Sequence, residues 1–267
     1  MKSPVDLLSI AKKTFFNQTY KKELLWLLSL RAPMPLVWAH ALGRMRLKEL
    51  WQFGREAGPY RECLDALDTT SDWFSTNINH WLACFAAVGW NPDQRLDVLE
   101  IGSWEGMSTR FIAEHFGNAT ITCVDTWGGA DEHLVNPDQT KLSECEQRFD
   151  RNLAPFSARL HKCKMTSQAF FSAEPRKEAY DFVYVDGSHY VDDVMLDALC
   201  AFASLRVGGL LIFDDYQWNL YQNPIDAPAA AINAFLRLKA GQYRIVWVCW
   251  QVAIQKLATA EQHRVIA

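Results

Sequence analysis

Apolar positions change their period near residue 92. Before it they recur at three- and four-residue steps, the spacing of one helix face, broken at Pro33, Pro35, Gly54 and Gly58-Pro59. This predicts a helical extension over residues 1–90. Within it Thr70-Ser71-Asp72 is placed to cap a helix over Trp73–Val88, closed by Gly89 and Asn91-Pro92. Beyond residue 92, short apolar runs alternate with helical spacing. The runs Leu96–Ile101, Thr120–Val124, Arg159–Cys163, Phe182–Val185 and Leu210–Phe213 read as strands. Between them Met107–Phe116, residues 139–153 and Val191–Leu205 read as helices, and Gly208-Gly209 turns the chain into the fifth strand. A helix over residues 227–240 follows, then Tyr243–Val248 and Gln251–Lys256 as a closing hairpin. Alternating strands and helices predict an α/β fold with a doubly wound, mainly parallel, seven-stranded sheet over residues 91–267.

Composition narrows this further. Of 267 residues, 49% are hydrophobic and 22% charged, which supplies a sizeable core and excludes a disordered chain. The net charge of −4 gives no overall basic footprint, so a nucleic-acid partner is not expected. It divides unevenly: residues 1–50 hold nine Lys/Arg against three Asp/Glu, a local +6 that leaves −10 beyond. With Leu24, Leu25, Trp26, Leu27 and Leu28 in the same segment, residues 1–50 read as a helical cap, or as a contact with a membrane surface or second subunit. That apolar run is far short of the ~20 residues of a membrane span. Asp6 and Lys12-Lys13 interrupt any secretory signal. Seven scattered cysteines form no C-x-x-C pair, which points to a reduced, cytoplasmic protein.

Open parallel sheets bind ligands beyond the carboxyl ends of their strands. Acids and glycines gather there in this chain: Glu100-Ile101-Gly102-Ser103-Trp104-Glu105-Gly106-Met107-Ser108, Asp125-Thr126-Trp127-Gly128-Gly129, Asp186-Gly187-Ser188-His189 and Asp214-Asp215-Tyr216. A dinucleotide fingerprint needs G-x-G-x-x-G, and here Trp104 and Met107 replace the second and third glycines. A pyrophosphate would also meet Glu100 and Glu105. S-adenosylmethionine, with its sulfonium and ammonium charges, suits those acids instead. Gly102 and Gly106 let the backbone approach a ligand, and Asp125 can accept both ribose hydroxyls, a feature shared with NAD sites. Each piece also has an ordinary structural explanation: Gly102 and Gly106 as turn residues, Ser103 or Ser108 as helix caps.

Four segments carry a resemblance. Val98–Thr109, Asp125–Gly129, Tyr180–His189 and Leu205–Tyr216 resemble, in order and spacing, motifs of class I S-adenosylmethionine-dependent methyltransferases. The branch they resemble is the methyltransferase-24 type, in which an aromatic residue often stands where Trp104 stands; Val207 departs from a common proline. The resemblance covers roughly residues 95–256. It implies O-methylation of a small hydroxylated acceptor: a sugar, a glycan end or a natural product. It also implies cofactor contacts from Glu100, Gly102, Ser103, Gly106, Ser108, Asp125, Thr126, Trp127, Ser167, Asp186, Gly187 and His189. Trp127 and Met165-Thr166-Ser167 are the adenine candidates.

Asp186 and Asp214-Asp215 should end neighbouring strands about 5 Å apart. Carboxylates so close repel unless protonated or bridged by a cation. The resemblance gives Asp186, Asp214 and Asp215 as ligands of Mg²⁺ or another divalent ion. His189, beside Asp186, is the general-base candidate, and His133 a second. Trp218, Tyr221, Trp247 and Trp250 are candidates for an acceptor pocket. Two other readings compete: a nicotinamide oxidoreductase, opposed by Trp104 and Met107, and a non-catalytic scaffold on the same fold. Metal-dependent chemistry other than methyl transfer is a third.

Overall fold

The short apolar runs form strands because both faces of a parallel sheet are buried. The computed structural model describes residues 18–43, 53–129, 142–173 and 176–259. Its strands are β1 (Asp97–Ile101), β2 (Thr120–Asp125), β3 (Leu160–Lys164), β4 (Tyr180–Val185), β5 (Leu205–Phe213), β6 (Tyr243–Val248) and β7 (Val252–Lys256). They make one seven-stranded sheet in the order β3-β2-β1-β4-β5-β7-β6. β1 to β5 pair in parallel, and β7 lies antiparallel between β5 and β6. The expected α/β architecture and closing hairpin are both present.

Strand alternation divides the core. Val98, Ile121, Phe182, Tyr184, Leu210 and Ile212 face one layer with Trp81, Phe85, Phe111 and Phe149. Leu99, Ile101, Val183, Val185, Leu211 and Phe213 face the other with Ala198, Phe202, Ile232 and Phe235. The helices of the extension are α1 (Gln18–Ser29), α2 (Met34–Gly43), α3 (Gly58–Asp65) and α4 (Ile78–Ala87). Leu27 and Leu36 of the first two pack on the second layer. α3 and α4 supply Leu64, Ile78, Trp81 and Phe85 to the first. The Asp72 carboxylate accepts the Phe74 and Ser75 N–H groups at 3.1 and 2.8 Å. It therefore holds the 3₁₀ turn Ser75–Asn77, while the α-helix itself starts later than expected, at Ile78, with no side-chain cap.

Within the sheet region follow α5 (Met107–His115), α6 (Cys145–Leu153), α7 (Ser167–Ala173), α8 (Val191–Ser204) and α9 (Pro228–Leu238). The spacing did not predict α7. β5 also starts earlier than its apolar run. Gly208, at φ +87°, and Gly209, where a Cβ would stand 2.7 Å from the Asp181 carbonyl oxygen, lie inside the strand instead of before it. The pairing of β4 with β5 shifts register there. Among the described residues no helix is long and apolar enough to cross a membrane.

Candidate active site

The ends of β1, β2, β4 and β5 open into one cavity of about 720 Å³, the size of a small-molecule site. Backbone bonds hold its rim: Asp186 N to Ile101 O and Gly102 N to Val124 O at 2.8 Å, Asp214 N to Val185 O at 2.9 Å. Gly102 has φ +84°, and a Cβ there would lie 1.8 Å from the Asp186 carbonyl oxygen. Only glycine lets the β1 loop lie against the end of β4.

Of the expected residues, Gly102, Asp125, Thr126, Ser167, Asp186, Gly187, His189, Asp214 and Asp215 line this cavity, with Met165 and Thr166. At the end of β2, Asp125 Oδ2 accepts the Trp104 N–H at 2.8 Å and Oδ1 accepts the Trp127 N–H at 2.6 Å. Burial raises the Asp125 pKa, and these backbone donors oppose the rise. The backbone N–H groups of Ser103 and Thr126 act in the same direction, so the carboxylate is held at the cavity wall by the β1 and β2 loops.

Asp186, His189 and Asp215 converge at the other end, with ligand atoms all within 4.8 Å of one another. His189 Nε2 is 2.6 Å from Asp215 Oδ2, and its imidazole stacks on Trp218 at 4.8 Å and 28°. Asp215 is in the left-handed region at φ 54°. The strand has ended at Phe213, so Asp214 and Asp215 are released from strand alternation, as a shared site requires. The Tyr184 hydroxyl lies between two acids, 2.9 Å from Asp186 Oδ2 and hydrogen-bonded to Asp214 Oδ2. Burial, then the neighbouring carboxylates, pushes Asp186 well above the usual range and Asp214 up to about 6.

Residues 99–216, which span all four of these strand ends, match the family model described as a methyltransferase domain, of the methyltransferase-24 type. Over that segment the chain is similar to class I S-adenosylmethionine-dependent methyltransferases. The methyltransferase fold is shared with solved structures. Cofactor-bound Rv0187 from MTB aligns at TM-score 0.51 and 15% identity, over 76% of this chain and 91% of that one. A provisionally assigned O-methyltransferase from Klebsiella pneumoniae aligns at 0.51 and 14%, over 79% and 97%. Identities this low carry the fold alone. No curated protein matches the chain in sequence.

Several expected contacts of the methyltransferase do not reach the cavity. Glu100 is fully buried, because strand alternation turns it into the layer under α5, where it accepts the Thr109 hydroxyl. Burial raises its pKa, and the Thr109 hydroxyl opposes the rise. Ser103 and Ser108 are buried as well and are not part of the cavity lining, and Ser103 Oγ and Glu100 Oε1 lie there without a hydrogen-bond partner among the described residues. Gly106, at φ +89°, is needed for packing: a Cβ would lie 2.2 Å from Leu153 Cδ2. Trp127 is also buried. It packs on Phe149 and under the Lys162 ammonium, and its Nε1 donates to Trp104 O at 2.8 Å. It does not line the cavity. Asp214 lines the cavity but stands outside the converging trio. Of the acceptor-pocket candidates Trp218 lines the cavity, while Trp247 is buried in the core and Tyr221 packs edge-on against Trp218. His133 lies outside the described residues.

The sequence reading missed Trp73, Gln168, Asp193, Leu196 and Leu220, which line the cavity. Trp73, ahead of α4, stacks on Trp104 at 5.6 Å and 28°. Behind Gly187 lies another buried acid. Asp197 on α8 is 1% exposed, and burial pushes its pKa up to about 7, with Asp193 adding and a Ser167 hydrogen bond opposing. A raised carboxyl pKa costs stability as pH rises from the unfolded value, about 4, through the folded one. Asp197→Asn is therefore expected to stabilise the protein by on the order of 3 kcal/mol at pH 8 and by almost nothing at pH 4. Urea unfolding at the two pH values checks this, and equal effects at both would contradict it.

Proposed function

We propose that this protein transfers the methyl group of S-adenosylmethionine to a hydroxyl of a small acceptor such as a sugar, a glycan end or a natural product. The observation that carries this is the polarity of the one cavity. Asp125 at the end of β2 and Ser167 after β3 suit a nucleoside, Asp186, His189 and Asp215 after β4 and β5 suit an acceptor hydroxyl, and Gly102 at the end of β1 lies between the two groups. Trp73 with Trp104, and Trp218 with Leu220, form apolar walls for the acceptor's body.

In the step proposed, the acceptor oxygen attacks the methyl carbon in line, the carbon–sulfur bond breaks, and S-adenosylhomocysteine leaves as a neutral thioether. The hydroxyl proton passes to His189, whose imidazole is held by Asp215 and Trp218. The trio also fits a divalent ion, because two carboxylates and an imidazole present ligand atoms to one point. Mg²⁺ or another divalent cation held there would supply positive charge that lowers the acceptor hydroxyl's pKa. With an ion bound, His189 would be a ligand in place of acting as the base; we assign Asp186, His189 and Asp215 to the ion in place of the expected Asp186, Asp214 and Asp215.

The test is S-adenosylhomocysteine formation with a panel of hydroxylated sugars and phenols, with and without Mg²⁺. His189→Ala is expected to cut the rate by about 10²–10⁴, with a far smaller change in S-adenosylhomocysteine affinity. Full activity in that variant would sink the assignment. The free thiols at all seven cysteines support a reducing, cytoplasmic setting. Leu25, Leu28, Met34 and Trp38, exposed on α1 and α2, support contact of the basic segment 1–50 with a membrane surface or second subunit.

A further inference from the structure

Helix α4 and the turn between β6 and β7 lie outside the matched segment 99–216, yet a buried hydrogen-bond chain leads from them into the site. Trp81 Nε1 donates to Gln251 Oε1 at 2.8 Å, and Gln251 Nε2 donates to Asp214 Oδ2 at 2.7 Å. An indole N–H only donates, so Trp81 fixes which end of the Gln251 amide faces Asp214. Asp214 Oδ1 accepts the Asp215 N–H at 2.7 Å. Its Oδ2 is shared with the Tyr184 hydroxyl, which reaches Asp186 Oδ2 at 2.9 Å. Trp81 is fully buried and Gln251 is 2% exposed. The Trp81 ring also meets the Tyr184 ring edge-on at 4.7 Å and 80°, so one indole braces both ends of the chain.

The two adjacent acids after β5 thus have different work. Asp215 faces His189. Both oxygens of Asp214 are engaged by Asp215 N–H, Gln251 and Tyr184. We propose that Trp81 and Gln251 are positioning residues of this methyltransferase. They hold Asp214 as a buried acceptor, Asp214 anchors Tyr184, and Tyr184 aims the Asp186 carboxylate at the cavity beside His189 and Asp215. Loss of a group that orients a metal ligand typically weakens metal binding by about 10- to 100-fold. This inference rests on the divalent-ion part of the function proposed above. It adds residues from outside the matched domain to the site.

The experiment is Mn²⁺ titration followed by electron paramagnetic resonance, with S-adenosylhomocysteine at saturation. It compares the wild type, Gln251→Leu, Trp81→Phe and the double variant. Gln251→Leu removes both amide links at similar volume, and Trp81→Phe removes the N–H while keeping a ring. Each single variant is expected to weaken Mn²⁺ at least tenfold, while S-adenosylhomocysteine affinity stays within about threefold. Because the two residues are links of one chain, the double variant should bind no more weakly than the worse single one. Folded single variants that bind Mn²⁺ as tightly as the wild type would overturn the inference alone. So would a Gln251→Leu protein that loses Mn²⁺ and S-adenosylhomocysteine together, since that is general damage. A wild type that binds S-adenosylhomocysteine and no Mn²⁺ would overturn the ion reading and this inference with it.

Discussion

Replacing Gly102 by alanine is expected to abolish S-adenosylhomocysteine binding and to destabilise the fold by about 3–5 kcal/mol. Two penalties combine. The residue sits at φ +84°, which an L side chain adopts only with strain, and its Cβ would be 1.8 Å from the Asp186 carbonyl oxygen. That neighbour is backbone at the end of a central strand, so the β1 loop must move away. The separation opens the junction between the cofactor loop and the Asp186 loop, which both line the cavity. Gly208→Ala is the control. It shares the positive φ, +87°, but a Cβ there meets nothing within 4 Å. Strain alone should cost it about 1–2 kcal/mol, with cofactor affinity unchanged. Denaturant unfolding and calorimetry on both variants check this. Equal stability losses in the two would show that the close approach to Asp186 does not matter.

The second large effect is expected at Asp125. Its carboxylate accepts the N–H groups of Trp104 and Trp127, and in the proposed complex it also accepts the ribose hydroxyls. Hydrogen bonds to a charged group contribute about 1.5–3 kcal/mol each. Asp125→Ala should therefore weaken S-adenosylhomocysteine by about 10²–10⁴, with a loss of stability from the two unpaired N–H groups. Asp125→Asn keeps the shape and one acceptor oxygen, and should fall between wild type and alanine in both measurements. Unchanged affinity in a folded alanine variant would remove Asp125 from the ribose site.

The central sheet was legible because β1, β2, β4 and β5 contain short apolar runs closed by acids and glycines, and because helices separate them; β3, Leu160–Lys164, is a mixed edge strand. Asp125, Asp186 and His189 were legible for the same reason: a residue at a strand's carboxyl end reaches the cavity whatever the helices do. Legibility stopped where direction is set by geometry that the letters do not carry. Glu100 sits one residue before the end of β1, so the pleat buries it under α5. Asp214 and Asp215 are adjacent acids past a strand end, and the left-handed turn at Asp215 decides which one meets His189. Trp127 reads as an aromatic platform, but its indole is spent on Trp104 O and the Phe149 ring. Trp73 and the Trp81–Gln251 pair were invisible for another reason. They join the site across the fold, the latter over 170 residues of chain, and no local spacing signals such a contact.

The most direct measurement is calorimetric titration of the purified protein with S-adenosylhomocysteine and, separately, with NAD, each in Mg²⁺ and in EDTA. A class I methyltransferase with this cavity should bind S-adenosylhomocysteine at micromolar concentration and NAD not at all. Binding of NAD, or no binding of S-adenosylhomocysteine in either condition, would contradict the assignment of the cavity to methyl transfer.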